Sequence, residues 1–289
     1  MNYFLIPVLC ILASLKVIIQ NYCAKRADGG FAKNVYFNCL MFSAIGIFFA
    51  PYLFLDEIST STVIAGISMG LLSVGFQSFY MQAFSNRSMA LSAIINNFSM
   101  LIPTAVSVIL FDEMFGALSI IGATLALVSL FLNTSKGSDE ASENHSRVKW
   151  IIYISMAFVC NGLISVDQKL YTKLTDSFNV YQFVAAAYIT AAVLSWMFFA
   201  VVRHKEGDFS PNKTLTVGAF GAGIILGVFQ CLNTYAASVI NGSVLYPVYN
   251  CGVSIMLAAE DVLIFKERLS RKQAVGIAVG IASIVFLCI

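Results

Sequence analysis

Thr134-Ser-Lys-Gly-Ser-Asp-Glu-Ala-Ser-Glu-Asn-His-Ser-Arg-Val-Lys149 is the one long polar stretch of the sequence, and it falls almost at the midpoint of 289 residues. Outward from it the charges thin out. Uncharged stretches run over 34–55, 58–86, 88–111 and 114–135 on one side, and over 177–202 and 214–259 on the other. A helix needs about 20 apolar residues to cross a bilayer core, so most of these are span-length. The last is long enough for two spans, divided at Asn241-Gly242-Ser243. Adding the shorter runs 150–166 and 273–289 and the segment up to Lys16 gives ten expected helices: 3–22, 34–54, 62–84, 88–110, 115–133, 150–171, 179–202, 214–239, 243–264 and 272–289.

The class follows from composition. The chain is 59% hydrophobic and 11% charged, where a soluble domain carries roughly 25% charged residues. The runs are too long for membrane-barrel strands and lack their alternation. Segment 3–22 has no basic leader region and Lys16 interrupts its apolar run, so it is read as helix 1 and not as a cleaved signal. A net charge of +2 gives no reason to expect a nucleic-acid partner, and His145 and His204 both fall in loops. The seven cysteines, at 10, 23, 39, 160, 231, 251 and 288, lie in or at the ends of spans without CxxC spacing. They read as small buried residues, and no metal or cofactor is expected.

Five spans on each side of the linker suggest duplication, and self-similarity at that period is present. Gln20, Lys25 and Asp28 recur 148 residues later as Gln168, Lys173 and Asp176. Gly70, Phe76-Gln77 and Asn97 recur at an offset of 153 as Gly223, Phe229-Gln230 and Asn250, and Glu113 and Gly122 recur at 154 as Glu267 and Gly276. The expected architecture is all-α, with ten transmembrane helices as two inverted five-helix repeats, 1–133 and 150–289, joined by the linker 134–149. An odd number of spans per half inverts the second half, as in many secondary transporters, whose sites lie near the midplane between repeats.

Each half also closes alike, with Phe111-Asp-Glu113 and Gly122 in the first and Phe265-Lys-Glu267-Arg-Leu-Ser270, Gln273 and Gly276 in the second. This resembles the EamA-type repeat of the drug/metabolite transporter superfamily, whose halves end in a Gly-Glu-x-x-Ser/Thr, Gln, Gly pattern. The resemblance covers nearly the whole chain except the linker. Neither Glu here follows a Gly, and Ser119 stands where the second half has Gln273. The resemblance implies movement of small organic metabolites or drugs across the inner or plasma membrane, in some members proton-coupled. It also implies a cavity lined by helices 1, 3 and 4 and by 6, 8 and 9, with helices 5 and 10 peripheral.

Ionisable groups inside a bilayer cost roughly 2.5–3.5 kcal/mol each on insertion scales, so each needs a reason to be there. Lys16 lies mid-helix with Gln20 one turn on, either snorkelling or meeting a substrate carboxylate. Glu260 continues a half-polar stripe through Tyr246, Asn250, Val253 and Leu257. With Asp261 it is the candidate for proton coupling, because a partly desolvated carboxyl can exchange protons near neutral pH. The bland alternative is an interfacial carboxylate paired with Lys266 or Arg268. Asp167, near a helix end beside Lys169, reads as structural.

The uncharged candidates for substrate binding are the repeat-related amides Gln77 and Gln230, Asn97 and Asn250, and Gln168, together with Lys16 and Gln20. Amides both donate and accept, although polar side chains also serve as packing glue in bilayers. Asn96, Asn161, Asn233, Tyr80, Tyr188 and Tyr249 add further candidates. Gly122-x3-Ala126, Gly223-x3-Gly227 and Gly276-x3-Gly280 read as helix contacts within the chain, with a dimer contact for helix 5 or 10 as the alternative. Pro103 and Pro247 are expected to kink helices 4 and 9.

These features favour a secondary transporter of a small polar organic metabolite, monomeric or homodimeric in the bilayer. A zwitterion such as an amino acid suits the mixed lining, and a nucleobase nearly as well. A flippase for a lipid-linked headgroup is the alternative within the same fold. A membrane-embedded enzyme would need a nucleophile and base or a metal site, and both histidines fall in loops and no HExxH motif is present. A channel would need a selectivity filter or charged ring, and none is recognisable.

Orientation follows from Lys and Arg in short loops. Odd-numbered loops hold 14 and even-numbered loops 2, Lys169 and Lys173. The bias places odd loops in the cytoplasm and both termini outside, whereas ten-helix members of the superfamily generally keep both termini inside. With Ser138→Cys or Asp208→Cys on a cysteine-free background, the charge rule expects both sites to be shielded from an impermeant thiol reagent in intact cells. Labelling of both would reverse the orientation.

Overall fold

A computed structural model describes residues 4–26, 31–86, 95–113, 116–133, 144–175, 178–206, 213–263 and 271–288. Among the described residues there are ten α-helices and no strand. They are α1 (Leu5–Arg26), α2 (Phe31–Phe49), α3 (Thr60–Asn86), α4 (Leu101–Phe111), α5 (Ala117–Asn133), α6 (Asn144–Leu174), α7 (Val180–Glu206), α8 (Lys213–Val239), α9 (Gly242–Leu263) and α10 (Arg271–Cys288). Five stretches, in α2 with the turn that follows it, α3, α6, α7 and α8, are long and apolar enough to cross a membrane. The chain is a multi-pass membrane protein.

Two elements depart from the expected spans for identifiable reasons. The polar end of the linker is helical, because α6 begins at Asn144. Ahead of Pro103 the helical residues 95–97 pass through a 3-10 turn, Phe98–Met100, into α4 at Leu101. A proline in the first turn of a helix gives up no intrahelical N–H bond. Pro51 does the same after α2, which passes into a 3-10 turn at Ala50–Phe54.

Helix pairings repeat between the halves. α3 packs on α6 as α1 packs on α8, and α3 packs on α7 as α8 packs on α2. The residues at the second of these contacts correspond one to one. A Cβ on Gly70 would strike the Ala187 carbonyl oxygen and Thr190, while one on Gly223 would strike the Met41 carbonyl oxygen and Ala44. Met41 and Ala44 precede Ala187 and Thr190 by 146 residues, just as Gly70 precedes Gly223 by 153. The α5–α10 contact pairs with itself. Ser129 Oγ donates to the Gly276 carbonyl at 2.7 Å and Ser283 Oγ to the Gly122 carbonyl at 2.8 Å. These two bonds interchange under the 154-residue offset.

One buried ion pair crosses between the halves. Helix α4 ends at Asp112, which is left-handed (φ 49°), and the next residue, Glu113, faces Lys169 of α6 at 2.8 Å. The left-handed region is where glycine is freest and Asp among the better-tolerated substitutes. That accounts for an Asp standing where the family pattern has Gly. Lys169 Nζ also donates to the Ala237 and Ile240 carbonyls, each at 3.0 Å, and Glu113 Oε2 accepts the Ser243 N–H at 3.0 Å. The cation thus meets the carbonyl end of α8 and the carboxylate meets the N–H end of α9, each sign where the helix dipole favours it. Lys169, counted above among loop charges, is buried within α6.

Removing one partner of a buried pair strands the other. Glu113→Gln or Lys169→Met is expected to cost about 3–5 kcal/mol, read as a large fall in Tm in detergent. The Glu113→Leu/Lys169→Met double variant is expected to melt above the sum of the single losses. Strictly additive losses would mean that the two side chains act independently.

Candidate functional site

At the centre of the described helices is a cavity of about 190 Å³ lined from both halves. Helix α1 brings Ala13, Lys16 and Val17; α2 Phe42; α3 Ser73, Phe76 and Gln77; α6 Asn161 and Ile164; α7 Tyr188; α8 Leu226, Phe229 and Gln230; and α9 Tyr249 and Val253. Most of these residues are repeat mates. Ala13 and Asn161, and Lys16 and Ile164, are 148 apart; Phe42 and Tyr188 are 146 apart; Ser73 and Leu226, Phe76 and Phe229, and Gln77 and Gln230 are 153 apart. The rings of Phe42 and Tyr188, mates of each other, are in contact at 5.6 Å between centroids.

The two glutamines occupy equivalent places in different circumstances. Gln230 is fixed by a buried chain of amides: Asn233 Nδ2 donates to Gln168 Oε1 at 2.8 Å, Gln168 Nε2 to Gln230 Oε1 at 2.7 Å, and Gln230 Nε2 to the Tyr188 hydroxyl at 2.9 Å. Thr234 Oγ1 accepts a second bond from Gln168 at 3.1 Å. On the far side, Ser73 bonds the same Tyr188 hydroxyl. Gln77 has no such chain, and among the described residues it makes no hydrogen bond. Asn161 is held by its donation to Ser99 Oγ at 2.7 Å, and Tyr249 by its ring against Phe229 at 5.7 Å.

Of the sequence candidates, the structure brings Lys16, Gln77 and Gln230 together on the cavity wall. Gln168 is behind the wall, gripping Gln230. Gln20, one turn beyond Lys16, is half-buried and off the lining, and Asn97 starts the 3-10 turn before α4. Asn250 donates to the Tyr246 carbonyl of its own helix at 2.9 Å. The side chains of Glu260 and Asp261 lie outside the described residues. Asp167 accepts a 2.7 Å bond from Ser68 and joins α6 to α3. Sequence reading did not find the Glu113–Lys169 pair or the part Ser73 plays at Tyr188. The available signal was the run Asp167-Gln168-Lys169 at the end of an apolar stretch.

The amide chain generates a sharp contrast. Gln168→Ala and Gln230→Ala each leave a buried partner unbonded, which costs about 1–3 kcal/mol, and each is expected to lower Tm. Gln77→Ala breaks no hydrogen bond among the described residues and is expected to melt like the unaltered chain. An equal loss in all three variants would contradict the difference drawn between the repeat mates.

Comparison with known proteins bears on the same helices. Residues 148–289 match the model of the EamA-like transporter family. A curated relative, named undecaprenyl-diphosphatase and from Clostridium novyi (strain NT), is 29% identical over 143 residues, which are 48% of this chain and 48% of that protein. The chain thus spans about half the length of the curated relative it matches. A solved structure described only as the crystal structure of a protein superposes with a TM-score of 0.79 at 15% identity, over 98% of this chain and 94% of the other. That likeness is one of fold, and it extends over both halves. Residues 148–289, just under half of the chain, are thus similar to the EamA-like transporter family.

Proposed function

We propose that the chain is a secondary transporter that moves a small polar organic metabolite, an amino acid or related solute, across the inner or plasma membrane by alternating access. In this reading all ten helices span the bilayer as two inverted halves, and the central cavity is the solute site. The observation that carries it is the lining itself, in which most wall residues are repeat mates from the two halves. A site on the pseudo-twofold axis is where rocking of one repeat against the other gives access from alternate sides. The matched contacts of Gly70 and Gly223, and the interchanged bonds of Ser129 and Ser283, support the same symmetry.

Gln77 and Lys16 present free polar groups to the solute, Gln230 presents a fixed amide, and Gln168 positions it. Gln20, Asn97 and Asn250 are off the wall and take no contact in this reading. Glu260 is on α9 about 10 Å beyond Val253 and on the same helix face, so it serves as the proton-coupling carboxyl, with Asp261 as the alternative. A second reading, a flippase for a lipid-linked headgroup, draws on the half-length likeness to a protein named undecaprenyl-diphosphatase.

The test is uptake into proteoliposomes. Removing one hydrogen bond to the solute costs about 0.5–1.5 kcal/mol, so Gln77→Ala is expected to raise the half-saturation concentration severalfold with Tm unchanged. Glu260→Gln is expected to abolish uptake driven by a pH gradient while exchange persists. No uptake of any water-soluble amino or organic acid, with flipping of a polyprenyl-linked probe, would favour the second reading.

A further inference from the structure

The cavity is symmetric in shape but not in charge. Lys16 is the one charged residue among the described lining residues, and its repeat mate is Ile164. No carboxylate is among those residues, and Lys16 has no hydrogen-bond or ion-pair partner among the described residues. A desolvated ammonium calls for an opposite charge or several acceptors. The wall supplies few. Gln230 Oε1 is taken by Gln168, and the Tyr188 hydroxyl already accepts from Gln230. A cation or zwitterion entering the cavity would bring three further N–H donors next to Lys16, where the described wall offers neutral acceptors, Gln77 Oε1, Asn161 Oδ1 and the Tyr249 hydroxyl, and no carboxylate. Around these groups stand the rings of Phe42, Phe76, Tyr188, Phe229 and Tyr249.

We infer that the cavity selects a solute whose single charge is a carboxylate, set against Lys16 and bonded by the Gln77 amide, with an apolar or aromatic body among the rings. It takes such an anion in preference to a zwitterion or a cation of the same body. A phosphate monoester, with its second charge, would need a second cation that the described wall does not offer. The inference rests on the cavity being the solute site. Within the amino-acid-like class it picks the members that carry a carboxylate and no free ammonium.

Two matched series separate the possibilities: 3-phenylpropanoate, phenylalanine and 2-phenylethylamine, and hexanoate, norleucine and hexylamine, with phenyl phosphate as a further arm. Thermal shift and isothermal titration on the full chain in detergent read binding, and counterflow in proteoliposomes reads transport. The carboxylates are expected to bind at least about tenfold more tightly than the zwitterions, because both set a carboxylate against Lys16 but the zwitterion alone also buries an ammonium beside a like charge with no carboxylate to meet it. The amines are expected to be weakest. Lys16→Met should erase the preference and Lys16→Arg should keep it. The ranking in the unaltered chain stands as a test even if a Lys16 variant fails to fold. Equal or tighter binding of phenylalanine, an amine or phenyl phosphate would overturn the inference, as would no binding of either carboxylate at millimolar concentration. Carboxylate-selective binding without counterflow would support the inference and defeat the transport reading, whereas counterflow that favours the zwitterions would do the reverse.

Discussion

A hydrocarbon phase offers no water to a polar group, so a charge carried into it is costly unless it finds a partner inside the protein. The Glu113–Lys169 pair is the strongest expression of that constraint here. Two charges sit at the meeting point of α4, α6 and the α8–α9 turn, and the bonds they make saturate helix-end groups that would otherwise be stranded. Such pairs are often no better for stability than apolar residues of the same volume. Their value is positional, since the pair and its bonds tie the four segments to one another. The left-handed Asp112 is part of that arrangement, because it turns the chain at the end of α4 just before Glu113.

The same constraint separates the two halves of the cavity. Duplication supplies equivalent backbone positions, which explains the mirrored contacts of Gly70 and Gly223. It does not supply equivalent surroundings. Gln230 faces Gln168 and Tyr188 and is held by both, whereas Gln77 faces open space across the axis. Wherever mates differ, as in Lys16 and Ile164, Asn161 and Ala13, or Tyr188 and Phe42, one half carries the polar group and the other an apolar wall. A frame of corresponding positions thus holds an asymmetric lining.

Much of the fold was legible because bilayer helices are written in long uncharged runs, and a duplicated chain repeats its landmarks in order. The site was legible in part, and the reason lies in rotation about the helix axis. An offset of 153 equates Asn97 with Asn250 and Gln77 with Gln230, but it does not say which face either presents to the axis. Gln77 and Gln230 turn inward, while Asn250 bonds its own helix. Gln168 equates with Gln20, yet only Gln168 has Asn233 and Thr234 opposite it. Lys169 misled for a different reason. Charge counting takes a lysine near a helix end as a loop marker, and one bonded to a buried carboxylate looks the same in sequence.

The reciprocal hydroxyl bonds of Ser129 and Ser283 limit what the peripheral pair α5–α10 can do. Each serine lies seven residues from the glycine that accepts on its own helix, so the two bonds are spaced about 10 Å along the pair. Sliding either helix by one residue breaks both at once. The pair therefore has a fixed register and behaves as a single rigid rod. In any rearrangement that keeps both bonds, the two helices move as one body and not past each other.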